Sequence, residues 1–456
     1  MIGQLEKTNS LIENWRLVRD LNDSYGPPSL HVLREESIAR FRQKGFPTHK
    51  DEEFKYTSLR AVEETQWQPS YGATVTKPDW RKTLLGKVEA PLLVFVNGQY
   101  APELSDVQGL PTDSLLLPLN EALEVDQDLV MRHLGQIATF KGKLGTTNDD
   151  RFVSLNSAYL GEGAFLYLPK NAVCEAPIHI VFLSRADHGP FAAFPRLLMV
   201  AEESSEAKVV ELYQGLDGKY FNCPLTEIWV GENAKIEHDR VQLETGSAFN
   251  IGSIFAHQQR ASVFTSNNVQ YGAAIGRVDT NAFVNGEGCE TWLNGVYLGD
   301  GEQLLDSHTR IDHAQPNCNS FEVYKGILDG NSRGVFNGKI FVYQDAQKTD
   351  AKQTNQALLL SKTATVDSKP QLEIFADDVK CTHGATVGQL SREMLFYLQA
   401  RGIPEPEARA MLVYAFAAEA LEKITVASIK DALENDLRER LEKGESSVKA
   451  NGNGRD

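Results

Sequence analysis

The sequence is short of cysteine, of long apolar stretches and of basic charge. Among its 456 residues only five are cysteine (Cys174, Cys223, Cys289, Cys318 and Cys381), an odd number spread widely. That usage suits free thiols in a reducing compartment and argues against a disulfide framework. The apolar run through residues 411–418 ends at Glu419, whereas a membrane-spanning helix needs about 20. Residues 1–7 have neither the charged-then-apolar layout of a secretory signal nor an Arg-rich, acid-poor transit composition. A mature, cytoplasmic chain is therefore expected. Lysine and arginine number 46 against 62 aspartates and glutamates, a net charge of −16. With no run of basic residues to override it, that charge repels phosphate backbones and sets nucleic acid aside as a partner.

Nucleotide motifs are missing too. No Gly-Lys pair has the glycine five positions upstream that a phosphate-cradling loop requires. Gly338-Lys339, for example, has Arg333 there and Ile340 where a hydroxyl residue should hold magnesium. ATP binding by this chain is not expected. Gly161-Glu162-Gly163, Gly286-Glu287-Gly288 and Gly299-Asp300-Gly301 lack the third glycine of a dinucleotide fingerprint and read as turns. No Gly-x-Ser-x-Gly elbow or His-Glu-x-x-His pair occurs.

What is present falls into three zones. Residues 5–60 carry apolar positions at helical spacing. Leu11, Ile12 and Trp15 form one face, and Val32, Leu33, Ile38 and Phe41 another, with Ser29 as an N-cap after Pro27-Pro28 and Gly45 as the stop. Residues 65–150 are mixed, with one clear strand at 92–96 running into Asn97-Gly98. From 152 to 388, short β-type runs recur about every 8–12 residues, separated by glycines such as Gly286, Gly288, Gly299, Gly301, Gly330, Gly334 and Gly338. Helical crossovers between parallel strands would need about a dozen residues each, so a doubly wound or TIM layout does not fit. Sandwich, barrel and solenoid stay open, because no clean repeat period stands out. After Gly388 the pattern turns helical: Ser391 caps one helix, Gly402 ends it, and Ile429, Leu433, Leu437 and Leu441 line another behind Ser428. The expected units are an N-terminal helical and mixed domain (1–150), a β core (151–388), a C-terminal helical domain (389–443) and a flexible tail (444–456).

Cysteine–histidine neighbours carry the chemistry. Cys174 with His179 and His313 with Cys318 are loose spacings. Cys381-Thr382-His383 is tighter: in an extended chain the thiol and the imidazole share a face, about 6.6 Å apart. They form a soft-plus-borderline ligand pair suited to iron, iron–sulfur clusters or zinc. Two ligands do not close a metal site, so the remainder must come from elsewhere in the fold or from another chain.

Around this pair, residues 369–388 resemble the SufD family of the SUF iron–sulfur cluster assembly system. The resemblance continues through residues 395–403 and 415–419, back through 337–340 and 345–350, and to Glu52-Glu53-Phe54-Lys55-Tyr56-Thr57 near the start. The paralogous SufB pattern has Glu-His-Glu-Ala-Thr where this chain has Cys381-Thr382-His383-Gly384-Ala385-Thr386, which favours SufD; Thr382 stands where serine is common. The resemblance implies a mainly β protein, a right-handed parallel β-helix flanked by N- and C-terminal α-helical domains. It implies a non-catalytic scaffold that pairs with SufB through the β-helix and docks the ATPase SufC on its C-terminal helices. It further implies a transient cluster or iron at the subunit interface, with Cys381 and His383 as candidate ligands. Met411, Tyr414 and Phe416 are candidates for the ATPase-facing surface. The rival from another class is a β-helix polysaccharide lyase or hydrolase, for which Asp306, Asp312 and Glu322 would have to line one groove. In a third reading the chain is purely structural and Cys381 and His383 are packing residues.

Overall fold

The computed structural model describes residues 9–22, 26–70, 75–76, 88, 91–138 and 150–452. Residues 1–7, read above for a leader, lie outside the described residues. From residue 164 to 388 the chain winds as a β-solenoid of about eight turns. Each turn gives one strand to each of two sheets. The first sheet runs from Leu115–Pro118 through Ala164–Leu168, Arg196–Ala201, Leu225–Val230, Phe249–Gln258, Ile275–Val284, Leu304–His313 and Arg333–Val342 to Thr365–Ile374. The second runs from the hairpin Leu92–Val96 and Gln99–Tyr100 through Ile178–Arg185, Glu206–Asp217, Lys235–Glu244, Val263–Gly272, Glu290–Gly299, Asn319–Leu328 and Asp350–Leu359 to Lys380–Gly388.

Pairing along the solenoid is parallel and joins each strand to the one a full turn later. The crossover that a parallel pair requires is supplied by the strand of the opposite sheet, so no helix is needed. From Lys235 on, successive strands start 12–17 residues apart, wider than the 8–12 expected from the sequence, because each ten-residue strand is followed by a corner before the chain enters the opposite sheet. Strands of the second sheet begin at Lys235, Val263, Glu290, Asn319, Asp350 and Lys380, at intervals of 28, 27, 29, 31 and 30 residues. The drift hides the period from inspection. Gly301 and Gly330 do turn corners, with φ of +58° and +60°. Gly334 and Gly338 do not; both lie inside the strand Arg333–Val342, and a Cβ at Gly338 would overlap the side-chain amide of Gln353 from the facing sheet.

Both broad outer faces are covered, so most strands are buried on both sides. The N-terminal elements cover the first sheet. Helix Ser10–Asn22 buries Leu11 and Trp15, and the Trp15 indole N–H donates to the Ala158 carbonyl at 2.9 Å. Helix Pro28–Lys44 starts on Pro28, whose fixed φ suits a first turn, and Pro27 takes the cap position expected of Ser29. Its buried face is Leu30, Arg34, Ser37, Ile38 and Phe41, while Val32 points to solvent; Gly45 ends it at φ +65°. Arg196 and Glu227, both fully buried, pair at 2.5 Å on the same outer face, and Glu227 accepts the backbone N–H groups of Gly135 and Ala138.

The C-terminal helices cover the second sheet. Val413, Ala417, Leu421, Ile429, Leu433 and Leu437 pack on Val269, Tyr271, Val296 and Ile327. Lys325 on the sheet pairs with Glu419, and Thr425 binds Glu237 through its backbone N–H at 2.8 Å. Helix Arg392–Ala400 is capped by Ser391, which accepts the Met394 N–H. The last helix, Ala427–Gly452, takes Ser428 into its first turn and runs past residue 444, where a tail is expected. Among the described residues no helix is long and apolar enough to cross a membrane.

The two ends of the solenoid differ. At the start, Leu92–Val96 folds back at Asn97-Gly98 and Leu115–Pro118 runs antiparallel to Ala164–Leu168, which closes the end. At the finish, Thr365–Ile374 and Lys380–Gly388 each pair on one side only among the described residues. That end is open.

Candidate functional site

The last strand carries the site. Parallel register keeps columns of side chains aligned from coil to coil. Cys381 continues the column Phe264, Thr291, Ser320 and Ala351, all buried inside the solenoid. His383 continues His238, Ser266, Leu293, Glu322 and Gln353, also interior. The two side chains therefore share the inward face of a coil on which no further coil is stacked. Cys381 is half-buried against Ile340, Val342, Ala346, Ala351 and Ala376. Burial and the nearby charge of Asp350 hold its thiol above the ordinary value, partly offset by the Ala351 backbone. His383 is exposed.

The surroundings are apolar and open. Ile374 is 39% exposed, Phe375 57% and Val387 51%; on the adjoining helix Arg392–Ala400, Met394 is 59% exposed, Phe396 72% and Tyr397 59%. That helix buries none of its residues, and exposed apolar side chains in this number suit an interaction site. Among the described residues no three His, Cys, Asp or Glu side chains converge as a metal-holding group. Cys381 and His383 are thus two donors of suitable chemistry that the other described residues do not complete.

The other sequence candidates are scattered. Met411 is exposed at 46%. Tyr414 donates from its hydroxyl to Glu434 at 2.6 Å and accepts from Arg438. Phe416 lies under Lys325, 4.6 Å from its ammonium. The three do not form one face. Asp306 and Asp312 sit on the outer face of the first sheet, bound to Arg277 at 2.9 Å and Arg310 at 2.7 Å. Glu322 lies inside the solenoid, hydrogen-bonded by Gln353. No shared groove exists for these three acids. Cys174 donates to the Ala176 carbonyl, and burial pushes His179 down to about 4. His313 bonds Ser320 at 2.9 Å, while Cys318 turns instead toward Cys289.

The sequence reading assigned no contact to residues 51–57. They run along the outer face of the first sheet: Glu52 pairs with Lys369, His308 lies 3.3 Å from Glu53, and Thr57 bonds Asp306 at 2.5 Å. Burial opposes ionisation of Asp306, but the charges of His308 and Arg277 overcome it and bring it down to about 2. Burial and Arg277 likewise oppose the His308 cation, while Asp306 and Glu53 raise it to about 9. This clasp joins the N-terminal segment to Lys369 in the last full coil.

Residues 182–416 match the family model described as SUF system FeS cluster assembly, SufBD core domain, and residues 5–180 match the SufBD protein N-terminal region. The chain belongs to the SufBD family. It is 31% identical to an iron–sulfur cluster assembly SufBD family protein of Synechocystis, over 85% of this chain and 86% of that one. With the Escherichia coli iron–sulfur cluster assembly protein SufD it shares 29% identity over 96% and 99% of the two chains. With the Bacillus subtilis SufD it shares 30% over 63% and 66%. These matches make it a SufD-type protein of SUF iron–sulfur cluster assembly.

Proposed function

We propose that the chain is a non-catalytic scaffold in the cytoplasm, half of a SufB–SufD pair that joins through the open end of the solenoid. The observation that carries this is the unfinished last coil, where Cys381 and His383 face the interior axis beside exposed Ile374, Phe375 and Val387. An open strand edge over apolar core is a surface that another chain covers favourably. The partner would supply the missing donors, so that a nascent cluster or its iron is held between subunits as cargo. ATP chemistry would belong to SufC, docked on the C-terminal helices around Met411, with Tyr414 and Phe416 supporting that surface from within. Helix Arg392–Ala400 follows the site strand after only Gln389, Leu390 and Ser391. Movement of the ATPase subunits would therefore reach the interface through a short, direct connection, opening it for assembly.

His383→Ala is expected to lower cluster yield at least tenfold in reconstituted assembly while the three-component complex still co-purifies. Unchanged yield would remove the imidazole from the site. Met411→Glu is expected to weaken co-purification with the ATPase without shifting the thermal midpoint, because the side chain is exposed. Full retention would place the docking surface elsewhere.

A further inference from the structure

Cys289 and Cys318 occupy the same corner of neighbouring coils, each just before a strand of the second sheet. The Asn319 N–H donates to the Cys289 carbonyl at 2.9 Å, which fixes the two turns against each other. Both thiols reach one acceptor, the Gly286 carbonyl, at 3.2 Å each. That shared oxygen turns the two side chains toward one point between the coils. In other coils the same corner holds Ser205, Ala234, Ser262, Thr349 and Val379. Ser205 and Thr349 bond carbonyls of their own turns. A hydroxyl satisfies such a turn as well as a thiol does. Two stacked thiols add a property that hydroxyls lack, because they can be joined.

We propose that Cys289 and Cys318 form a redox-convertible dithiol, closed by peroxide into a disulfide that staples two neighbouring coils. Adjacent strands lie about 4.8 Å apart, within the Cα separation of roughly 4.4–6.8 Å that a disulfide accepts. The pair is asymmetric in a useful sense. With the Cys318 proton turned from the Gly286 carbonyl to Cys289, the Cys289 thiol falls below its ordinary value and Cys318 rises above. Cys289 is then the attacking thiolate and Cys318 the resolving thiol. Both cysteines are fully buried, but the corners that hold them reach the surface: Glu287, Gly288 and Asn317, their neighbours along the chain, are exposed. Opening of a single turn admits an oxidant as small as hydrogen peroxide.

The chemistry balances. The Cys289 thiolate attacks peroxide, the O–O bond breaks, and the hydroxide released takes a proton to become water. The sulfenic acid left on Cys289 is attacked by Cys318, the S–S bond forms, the S–O bond breaks, and the Cys318 proton leaves with the second water. Two thiols lose two electrons and peroxide gains two.

The test uses the full chain, reduced and then exposed to graded hydrogen peroxide, with remaining thiols alkylated in denaturant and peptides mapped without reduction. The expected result is a Cys289–Cys318 linked peptide at peroxide levels that leave Cys174 and Cys223 alkylated, reversed by dithiothreitol and formed faster at pH 8 than at pH 5. In Cys318→Ser, whose hydroxyl suits the corner, a dimedone adduct is expected on Cys289. Alkylation of both thiols after peroxide, or Cys289 passing to sulfinic acid beside a free Cys318, would overturn the proposal and leave these residues a corner-packing role. Intermolecular linkage through Cys381 in place of the internal bridge would overturn it equally.

Discussion

Glu322 sits inside the solenoid, and burial pushes its carboxyl up to about 7 against weaker help from Thr309 and Gln353. At pH 4 it is largely protonated in both folded and unfolded chains. As pH rises through the ordinary carboxyl value the unfolded chain ionises first, and stability falls until the folded group also ionises near pH 7. The loss is on the order of 3 kcal/mol. Glu322→Gln is therefore expected to raise the urea midpoint at pH 8 and to leave it nearly unchanged at pH 4; an equal gain at both values would contradict the assignment. Asp306 has the opposite sign. Its contribution, about 2 kcal/mol, is present above pH 4 and lost as pH falls toward 2. The two acids were grouped in the sequence because both are carboxylates in β-type runs. What separates them is which face of which sheet each occupies, and alternation alone does not say which face is inside.

Helices that cover a sheet are held by small numbers of fully buried side chains. Leu433 on Ala427–Gly452 is one, and Leu433→Ala is expected to cost about 2–5 kcal/mol. Hydrogen exchange should quicken in the C-terminal helices while the first sheet stays protected. Global destabilisation without that local effect would mean the helices and the solenoid open as one unit. Within the strands, Gly338→Ala should cost about 1–3 kcal/mol by overpacking against Gln353, read as a lowered urea midpoint. The helical period of Ile429, Leu433 and Leu437 was legible because a burial stripe at 3.6-residue spacing survives without knowledge of what it packs on. Ser29 misled because Pro28, a better first residue, moves the helix start two positions earlier.

At the scale of the molecule, stability of a solenoid is close to a sum of coil terms and neighbour terms. Coils between residues 196 and 342 have neighbours on both sides, whereas Lys380–Gly388 has one. Amide exchange in the free chain is expected to be fastest in that strand among the solenoid strands, and to slow when the partner subunit binds. Uniform protection through residue 388 in the free chain would mean that the end is already closed, and the proposed interface would have to lie elsewhere. Helix Arg392–Ala400, with no buried residue, should follow the same pattern.

The sequence by itself determined the zoning into helical, β and helical parts, the absence of a phosphate-binding loop, and the pairing of Cys381 with His383, because each depends on residues close together along the chain. The family resemblance, carried by contiguous motifs, was legible for the same reason. Only the tertiary structure decided which columns face the interior, that the coil bearing Cys381 and His383 is the last and uncovered one, and that Cys289 meets Cys318. Those facts depend on register between strands some thirty residues apart, at intervals that vary from 27 to 31, and register is set by side chains packing across the solenoid rather than by any local signal.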